Sequence, residues 1–307
     1  MNTKNCIVCK SNNIAAAYDL RDYRLNNRRY FYHYDKCLDC GLIFQNPQVD
    51  FDTIINHYNH QPIYKSNVSR NGIQRILNNF GLKKRANVVL KHKSTGKLLD
   101  VGCGNGVFID YVKNNSNLEV VGTEINVDNV TYLTGKKGLD VRLGNLNEIS
   151  FTNQEFDIIT LWDVIEHLND PNHTLAEIKK LLKPDGNLII RVPNGNSVDF
   201  ALFGKYWAGL DAPRHLYVFS KKSLSYLLSV HGFQIISSNY HIGGYLNTLT
   251  SLEFFLNDQN ISLKLRKHLL KLFRNQILQI IFSPMFWVSS LFHLGTSMTI
   301  TASLNNE

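Results

Sequence analysis

LLDVGCGNGVFID, Leu98 to Asp110, decides how the rest of this chain is read. Four apolar-rich residues that suit a buried strand run into Gly102, Gly104 and Gly106, and an apolar-periodic helical segment follows. Gly102 and Gly104 let the backbone turn sharply and leave no side chain to block a ligand. Gly106 opens the helix. The spacing is G-x-G-x-G, whereas dinucleotide folds use G-x-G-x-x-G. No P-loop lysine follows, which argues against a triphosphate. Glu124 closes the next strand, with 17 residues between it and Gly106. A carboxylate there can accept hydrogen bonds from both hydroxyls of a ribose. A glycine loop is a weak signal alone and a much stronger one with an acid ending the following strand.

Outward from this stretch the pattern alternates. KLLDVG, LEVVGTE, LDVRLG, FDIITLW and GNLIIRVP read as strands, with VFIDYVKNN, VDNVTYLTGKK and PNHTLAEIKKLL as the helices between them. An aromatic-rich loop, the helix KKSLSYLLSVHG and the strand FQIISSNY come next. Such alternation predicts an α/β fold, a doubly wound and mostly parallel sheet covered on both faces. Ligands of such sheets bind at the carboxyl ends of the strands.

Upstream, four of the five cysteines form two C-x-x-C pairs, Cys6 with Cys9 and Cys37 with Cys40. Only Cys103 is left over, in the glycine loop. Thiolates two residues apart can turn onto one ion, so the pairs suit structural Zn²⁺ with no open position for catalysis. Disulfides are the competing reading, disfavoured in a reducing compartment. The gap between the pairs reads as two short strands and a turn. We expect a zinc ribbon over 1–50, a helical lead-in over 51–95 carrying Ile73, Ile76, Leu77 and Phe80 at helical spacing, and the main domain over 96–307.

The 307 residues are 44% hydrophobic with a net charge of +8. That charge fits an anionic partner, or merely a lysine-rich surface. MNTKNCIVCK has no apolar core of a signal peptide, which makes the cytoplasm the default expectation.

LLDVGCGNGVF, VVGTEIN, FDIITLWDVIEHLNDP and LLKPDGNLIIRVPN, in that order, resemble the motifs of class I S-adenosylmethionine-dependent methyltransferases. With the paired C-x-x-C and YWAGLDAPRHLYVFSKKSL, the chain resembles a bacterial subgroup with an N-terminal zinc ribbon, often active in sugar, polysaccharide or secondary-metabolite pathways. The resemblance implies a seven-stranded Rossmann-like core and S-adenosylmethionine as cofactor. Asp100 would face its methionine end over Gly102 and Gly104, with Gly106 opening the helix. Glu124 would hold the ribose and Ile125 pack on the adenine. Asn145 stands where the family usually has an aspartate, and would accept from the adenine amino group. Leu146 would offer its backbone N–H. Trp162 and Asp163 would lie near the sulfonium.

A hydroxyl acceptor benefits from a general base, and His167 in DVIEHLND and His215 in DAPRHLYVF are the candidates. Glu166 is expected to do no more than orient its loop. The expected acceptor is a small or lipid-linked molecule methylated at a hydroxyl. RNA is the alternative partner, because Arg21, Arg24, Arg28 and Arg29 are interleaved with tyrosines. The missing Asn/Asp-Pro-Pro-aromatic sequence after the fourth strand argues against methylation of base amino groups. The resemblance also makes TSMTITASL the last strand, so about 246–295 is a helical insertion. Its first half, ISLKLRKHLLKLFRN, is basic and amphipathic, and its second half, QILQIIFSPMFWVSSLFHLG, carries no charge. Residues 261–295 therefore suit peripheral contact with an anionic membrane, or packing on the core or on a second subunit of a homodimer.

Overall fold

A computed structural model describes residues 3–25, 27–49, 72–241, 244–259, 261–275 and 288–305, with positions 278, 281 and 284. The helical segment expected over residues 51–71 lies outside these residues. So do Trp287 and most of the uncharged half of the insertion. The strands are β1 (Ile14–Asp22), β2 (Asn27–Cys37), β3 (Ile43–Gln45), β4 (Thr95–Val101), β5 (Asn117–Glu124), β6 (Asp140–Leu143), β7 (Phe156–Trp162), β8 (Leu182–Pro193), β9 (Tyr217–Val218), β10 (Phe233–His241) and β11 (Ser297–Leu304). The helices are α1 (Gly72–Leu90), α2 (Val107–Asn115), α3 (Val127–Lys137), α4 (Pro171–Leu181), α5 (Val198–Phe203), α6 (Lys221–Val230), α7 (Gly244–Asp258) and α8 (Leu263–Phe273).

Seven strands form one sheet in the order β10-β11-β8-β7-β4-β5-β6. β4 to β8 pair in parallel, and β11 alone runs against its neighbours, β8 and β10. Every residue of β7 is buried, as a strand covered on both faces requires. The chain winds outward from β4 through β5 to β6 and then returns to β7 on the other side of β4. The carboxyl ends of β4 and β7 therefore meet at the switch point of the fold, the place where sheets of this kind bind ligands. The late strand expected in TSMTITASL is β11, and the insertion before it begins as the pair α7 and α8. Among the described residues, no helix is long and apolar enough to cross a membrane.

The N-terminal strands make a second sheet, β1-β2-β3-β9, whose last strand comes from the segment after β8. Ile43 pairs with Val218 and Phe44 with Tyr217. Cys6, Val8, Cys37, Cys40, Leu42 and Phe44 share one apolar cluster with core residues of the α/β unit such as Leu216, Phe219 and Leu224. At this seam Arg214, 2% exposed, donates to both oxygens of Asp22 at 2.9 and 3.0 Å and to Asp211 at 2.9 and 3.1 Å. Arg24 reaches Asp211 at 2.5 Å. Burial raises the Asp211 carboxyl, but the two guanidinium groups outweigh it and hold the group well below the usual carboxylate range. Arg21 pairs with Asp258 at 3.2 Å, so two of the four ribbon arginines considered for RNA serve internal ion pairs.

Removing one partner of a buried, hydrogen-bonded ion pair leaves the other charge uncompensated. An Asp22→Ala variant should therefore lose about 3 kcal/mol of stability in urea denaturation. A loss smaller than about 1 kcal/mol would mean that the clamp does not hold the two sheets together.

Candidate active site

The carboxyl edge of the parallel strands gathers the glycine loop, Glu124, Asn145, Trp162 and the Glu166–His167 turn. Gly102, Gly104 and Gly106 all adopt positive φ, at 68°, 57° and 68°. Their surroundings differ. A Cβ on Gly102 would press on Val164 at 2.9 Å, and one on Gly106 on Leu133 at 2.4 Å. A Cβ on Gly104 would meet nothing within 4 Å. The outer two glycines thus permit close packing, while Gly104 faces open space. Cys103, the cysteine left over, is buried with its sulfur against Gly122, where a Cβ would come within 2.8 Å.

Glu124 binds the loop to the sheet. Its Oε2 accepts from the Gly104 N–H at 2.7 Å and its Oε1 from Asn126 N–H at 2.8 Å. Each oxygen keeps a second lone pair for another donor. Burial pushes its pKa up against those backbone donors. Asp100 lies opposite Thr160 of β7 and accepts from its hydroxyl at 2.6 Å. With 3% exposure, it is pushed up to about 7 by burial, opposed by Thr160 and Arg85 and reinforced by Glu124. Ile125 is 40% exposed beside Glu124. The Asn145 N–H is held by Glu148 at 2.8 Å, and the Leu146 side chain is buried.

Trp162 is buried edge-on to Phe108, with Arg85 of α1 over its ring and, among the described residues, no hydrogen-bond partner at Nε1. Asp163 adopts φ 59°, which a non-glycine residue rarely takes, and pairs with Arg85 at 3.4 Å and Arg191 at 3.3 Å. Neither arginine stood out in the sequence, because a lone basic residue in a helix or strand carries no pattern.

His167 and His215, distant in sequence, touch edge to face with ring centroids 4.6 Å apart. His167 Nδ1 is 2.9 Å from the Arg214 carbonyl, and His215 Nδ1 is 2.8 Å from that of Gly209. Burial keeps both neutral, pushing His167 down to about 3 and lowering His215 against the opposing pull of Asp211. Tyr34 of the N-terminal sheet donates to the His215 carbonyl at 2.8 Å. Glu166 is fully buried beside them, and among the described residues neither carboxylate oxygen has a hydrogen-bond partner. Burial and the charge of Asp163 drive its pKa well above the carboxylate range. Among the described residues this cluster and the four cysteines are the groups that can hold a metal. Cys6 and Cys40 sulfurs lie 3.6 Å apart and Cys9 and Cys37 3.4 Å. Those spacings are far from a disulfide's and near the roughly 3.8 Å between thiolates on a tetrahedral ion with Zn–S bonds of about 2.3 Å.

A carboxyl whose folded pKa lies above its unfolded value contributes stability below the unfolded pKa and loses it as pH rises through the folded one. For Asp100 that window runs from about 4 to about 7. Without ligand, Asp100→Asn should melt roughly 5 °C above the parent protein at pH 8, and the gap should narrow toward pH 4. A gap independent of pH would remove Asp100 from this account.

A family model described as a methyltransferase domain matches residues 69–238, more than half of the chain. A probable S-adenosylmethionine-dependent methyltransferase of Mycolicibacterium smegmatis is 27% identical over 151 residues, 48% of this chain and 55% of that protein. A ubiquinone biosynthesis O-methyltransferase of Cereibacter sphaeroides is 29% identical over 132 residues, 41% of this chain and 53% of that protein. The chain thus spans about half the length of these relatives. A SAM-dependent methyltransferase structure from Archaeoglobus fulgidus matches with a TM-score of 0.50 at 17% identity, over 73% of this chain and 93% of that one, a likeness of fold. The chain belongs to the methyltransferase domain family.

Proposed function

We propose that this protein transfers the methyl group of S-adenosylmethionine to a hydroxyl of a small-molecule or lipid-linked acceptor, such as a sugar or secondary metabolite. The observation that carries the reading is the open space over Gly104 in a glycine loop that Glu124 holds at the ends of the parallel strands. S-adenosylmethionine, when bound, supplies an electrophilic methyl carbon. The chain's own task is to align the acceptor with it and keep water out. On this reading Gly104 lies under the cofactor, and the free lone pairs of Glu124 accept from the ribose. Ile125 offers an apolar face to the adenine, Asn145 and Leu146 meet its edge, and Asp100 faces the methionine end. Trp162 and Asp163 border the reacting centre.

Acceptor activation is assigned to His215 and His167. What supports this is their contact with each other, the neutral state that burial imposes, and their place beyond the end of β7. The cluster of four cysteines is read as a structural Zn²⁺ site that builds the N-terminal sheet and, through Asp22 and Tyr34, steadies the His215 loop. A lipid-linked acceptor is favoured by α8, where Leu263, Leu265 and Leu272 are exposed among exposed Lys264, Lys267 and Lys271. An apolar and basic helix of that kind suits an anionic membrane surface.

Two expected outcomes test the reading. Gly104→Val should weaken S-adenosylmethionine binding at least ~10-fold in calorimetry while the thermal transition stays cooperative, because the branched side chain enters the open space assigned to the cofactor. Unchanged affinity would overturn the cofactor assignment. With labelled cofactor and a panel of hydroxylated acceptors, free in solution or carried in anionic vesicles, the parent protein should label one class. His215→Ala should then cut that turnover by roughly 10²-fold with cofactor affinity kept. A near-normal rate would leave His167 or no base at all.

A further inference from the structure

The insertion between β10 and β11 springs from a defined edge of the sheet. β10 runs parallel to β8, because β11 pairs antiparallel with both. Ser297, the first residue of β11, lies between His241 at the end of β10 and Pro193 at the end of β8. The insertion thus leaves and re-enters the sheet at its carboxyl edge, the edge that carries the glycine loop and Glu124.

Its charge has one sign. Residues 259–306 contain Lys264, Arg266, Lys267, Lys271 and Arg274 and no Asp or Glu, in a chain whose net charge is +8. α8 is held from one side. Leu270 is buried, Tyr245 of α7 donates to the Phe273 carbonyl, and Arg274 just after the helix pairs with Glu253 of α7 at 3.2 Å. At about 100° per residue, Lys264, Leu265, Lys267, His268, Lys271 and Leu272 share one continuous arc that excludes Leu270. All six are exposed. An open hollow of about 460 Å³ lies along this arc, lined among the described residues by Ser262, Lys264, Leu265, Lys267, His268 and Lys271. Among the described residues, none of the three lysines has an ion-pair partner. The same insertion leaves Ile281, Leu291 and Phe292 more than half exposed.

We propose that this arc of α8 docks the protein on a bilayer containing anionic phospholipid, with the lysines on the headgroup phosphates and Leu265 and Leu272 entering the acyl boundary. Three ammonium groups around one hollow suit phosphodiester headgroups, and leucines set beside them suit the apolar phase just below. A second copy is the poorer occupant, because a two-fold interface sets the same lysines against each other. RNA is poorer too, since the arc offers no Phe, Tyr or Trp on which a base could stack. Docking brings the carboxyl edge of the sheet toward the lipid surface, where a lipid-linked hydroxyl is met. The proposal deepens the lipid-linked reading above and rests on it for the acceptor's identity, whereas docking itself needs neither cofactor nor acceptor.

Full-length protein, without cofactor or acceptor, is sedimented with vesicles of phosphatidylcholine alone and of phosphatidylcholine mixed with phosphatidylglycerol. The parent should bind the mixed vesicles and not the neutral ones, and should be released as salt rises. Lys264→Glu, Lys267→Glu and Lys271→Glu together should weaken that binding at least ~10-fold. Leu265→Ser with Leu272→Ser should also weaken it at least ~10-fold, which a purely electrostatic contact would not show. Both variants should keep the parent's calorimetric affinity for S-adenosylhomocysteine, since the altered side chains are exposed and lie outside the cofactor site. No binding to the mixed vesicles at low salt, or parent-like binding by either variant, would overturn the proposal. So would a lysine-dependent shift of a single-stranded RNA, or of oligomeric state, in a protein that leaves the vesicles unbound. In each of those cases retained S-adenosylhomocysteine binding leaves the methyltransferase reading standing.

Discussion

Arg214, buried between Asp22 and Asp211, is the contact on which the arrangement of the molecule depends. Its two carboxylate partners come from distant parts of the chain: Asp22 ends β1 of the N-terminal sheet, and Asp211 lies in the loop beyond β8. A guanidinium presents donors in a fixed fork, so satisfying two carboxylates at once fixes the angle at which the two sheets meet. His215 is the next residue along the chain. Its carbonyl is held by Tyr34 of the same N-terminal sheet. Whatever orders the cysteine cluster therefore also orders one wall of the candidate active site.

The opposite wall is built by different physics. At the centre of the sheet β4 and β7 end side by side, their apolar runs buried at the carboxyl end. The glycine loop can then sit close to the sheet, with Glu124 joining it to the next strand through the Gly104 and Asn126 N–H groups. Asp100 is buried without a cation in direct contact. This is the condition in which a carboxyl binds a proton in the absence of ligand and can respond to a positive charge that arrives. The site thus combines one rigid wall made from backbone and glycine with another made from a cross-domain ion network.

The α/β organisation was legible because buried parallel strands have an unmistakable pattern. LLDV, FDIITLW and LIIRV are too apolar and too β-branched for surface segments, and the loops between them carry the turn residues. The glycine loop and the strand-end Glu124 that caps it were legible for the same reason, since glycines and strand-end acids occupy fixed offsets from those runs. The cysteine spacing foretold the cluster. What sequence could not give was any pairing across long separations. Nothing in DLRDYR marks Asp22 as the partner of Arg214, and nothing in DAPRHLYVF announces that Tyr217 and Val218 complete the N-terminal sheet. His167 and His215 were visible only as two separate candidates. The fold turned them into one cluster, and placed Glu166 in it with no hydrogen-bond partner for its carboxylate among the described residues. Arg85 and Arg191 carry no sequence pattern because their role depends on Asp163, which meets Arg85 from a helix far upstream and Arg191 across the β7–β8 pairing.

On the proposed function, the ends of β4 and β7 receive S-adenosylmethionine. Calorimetric titration of the full-length protein with S-adenosylhomocysteine tests that most directly, because it needs no acceptor. One site per chain with a dissociation constant in the micromolar range, about −8 kcal/mol, is the predicted result. No saturable binding up to millimolar ligand by a protein that is folded and melts cooperatively would contradict it.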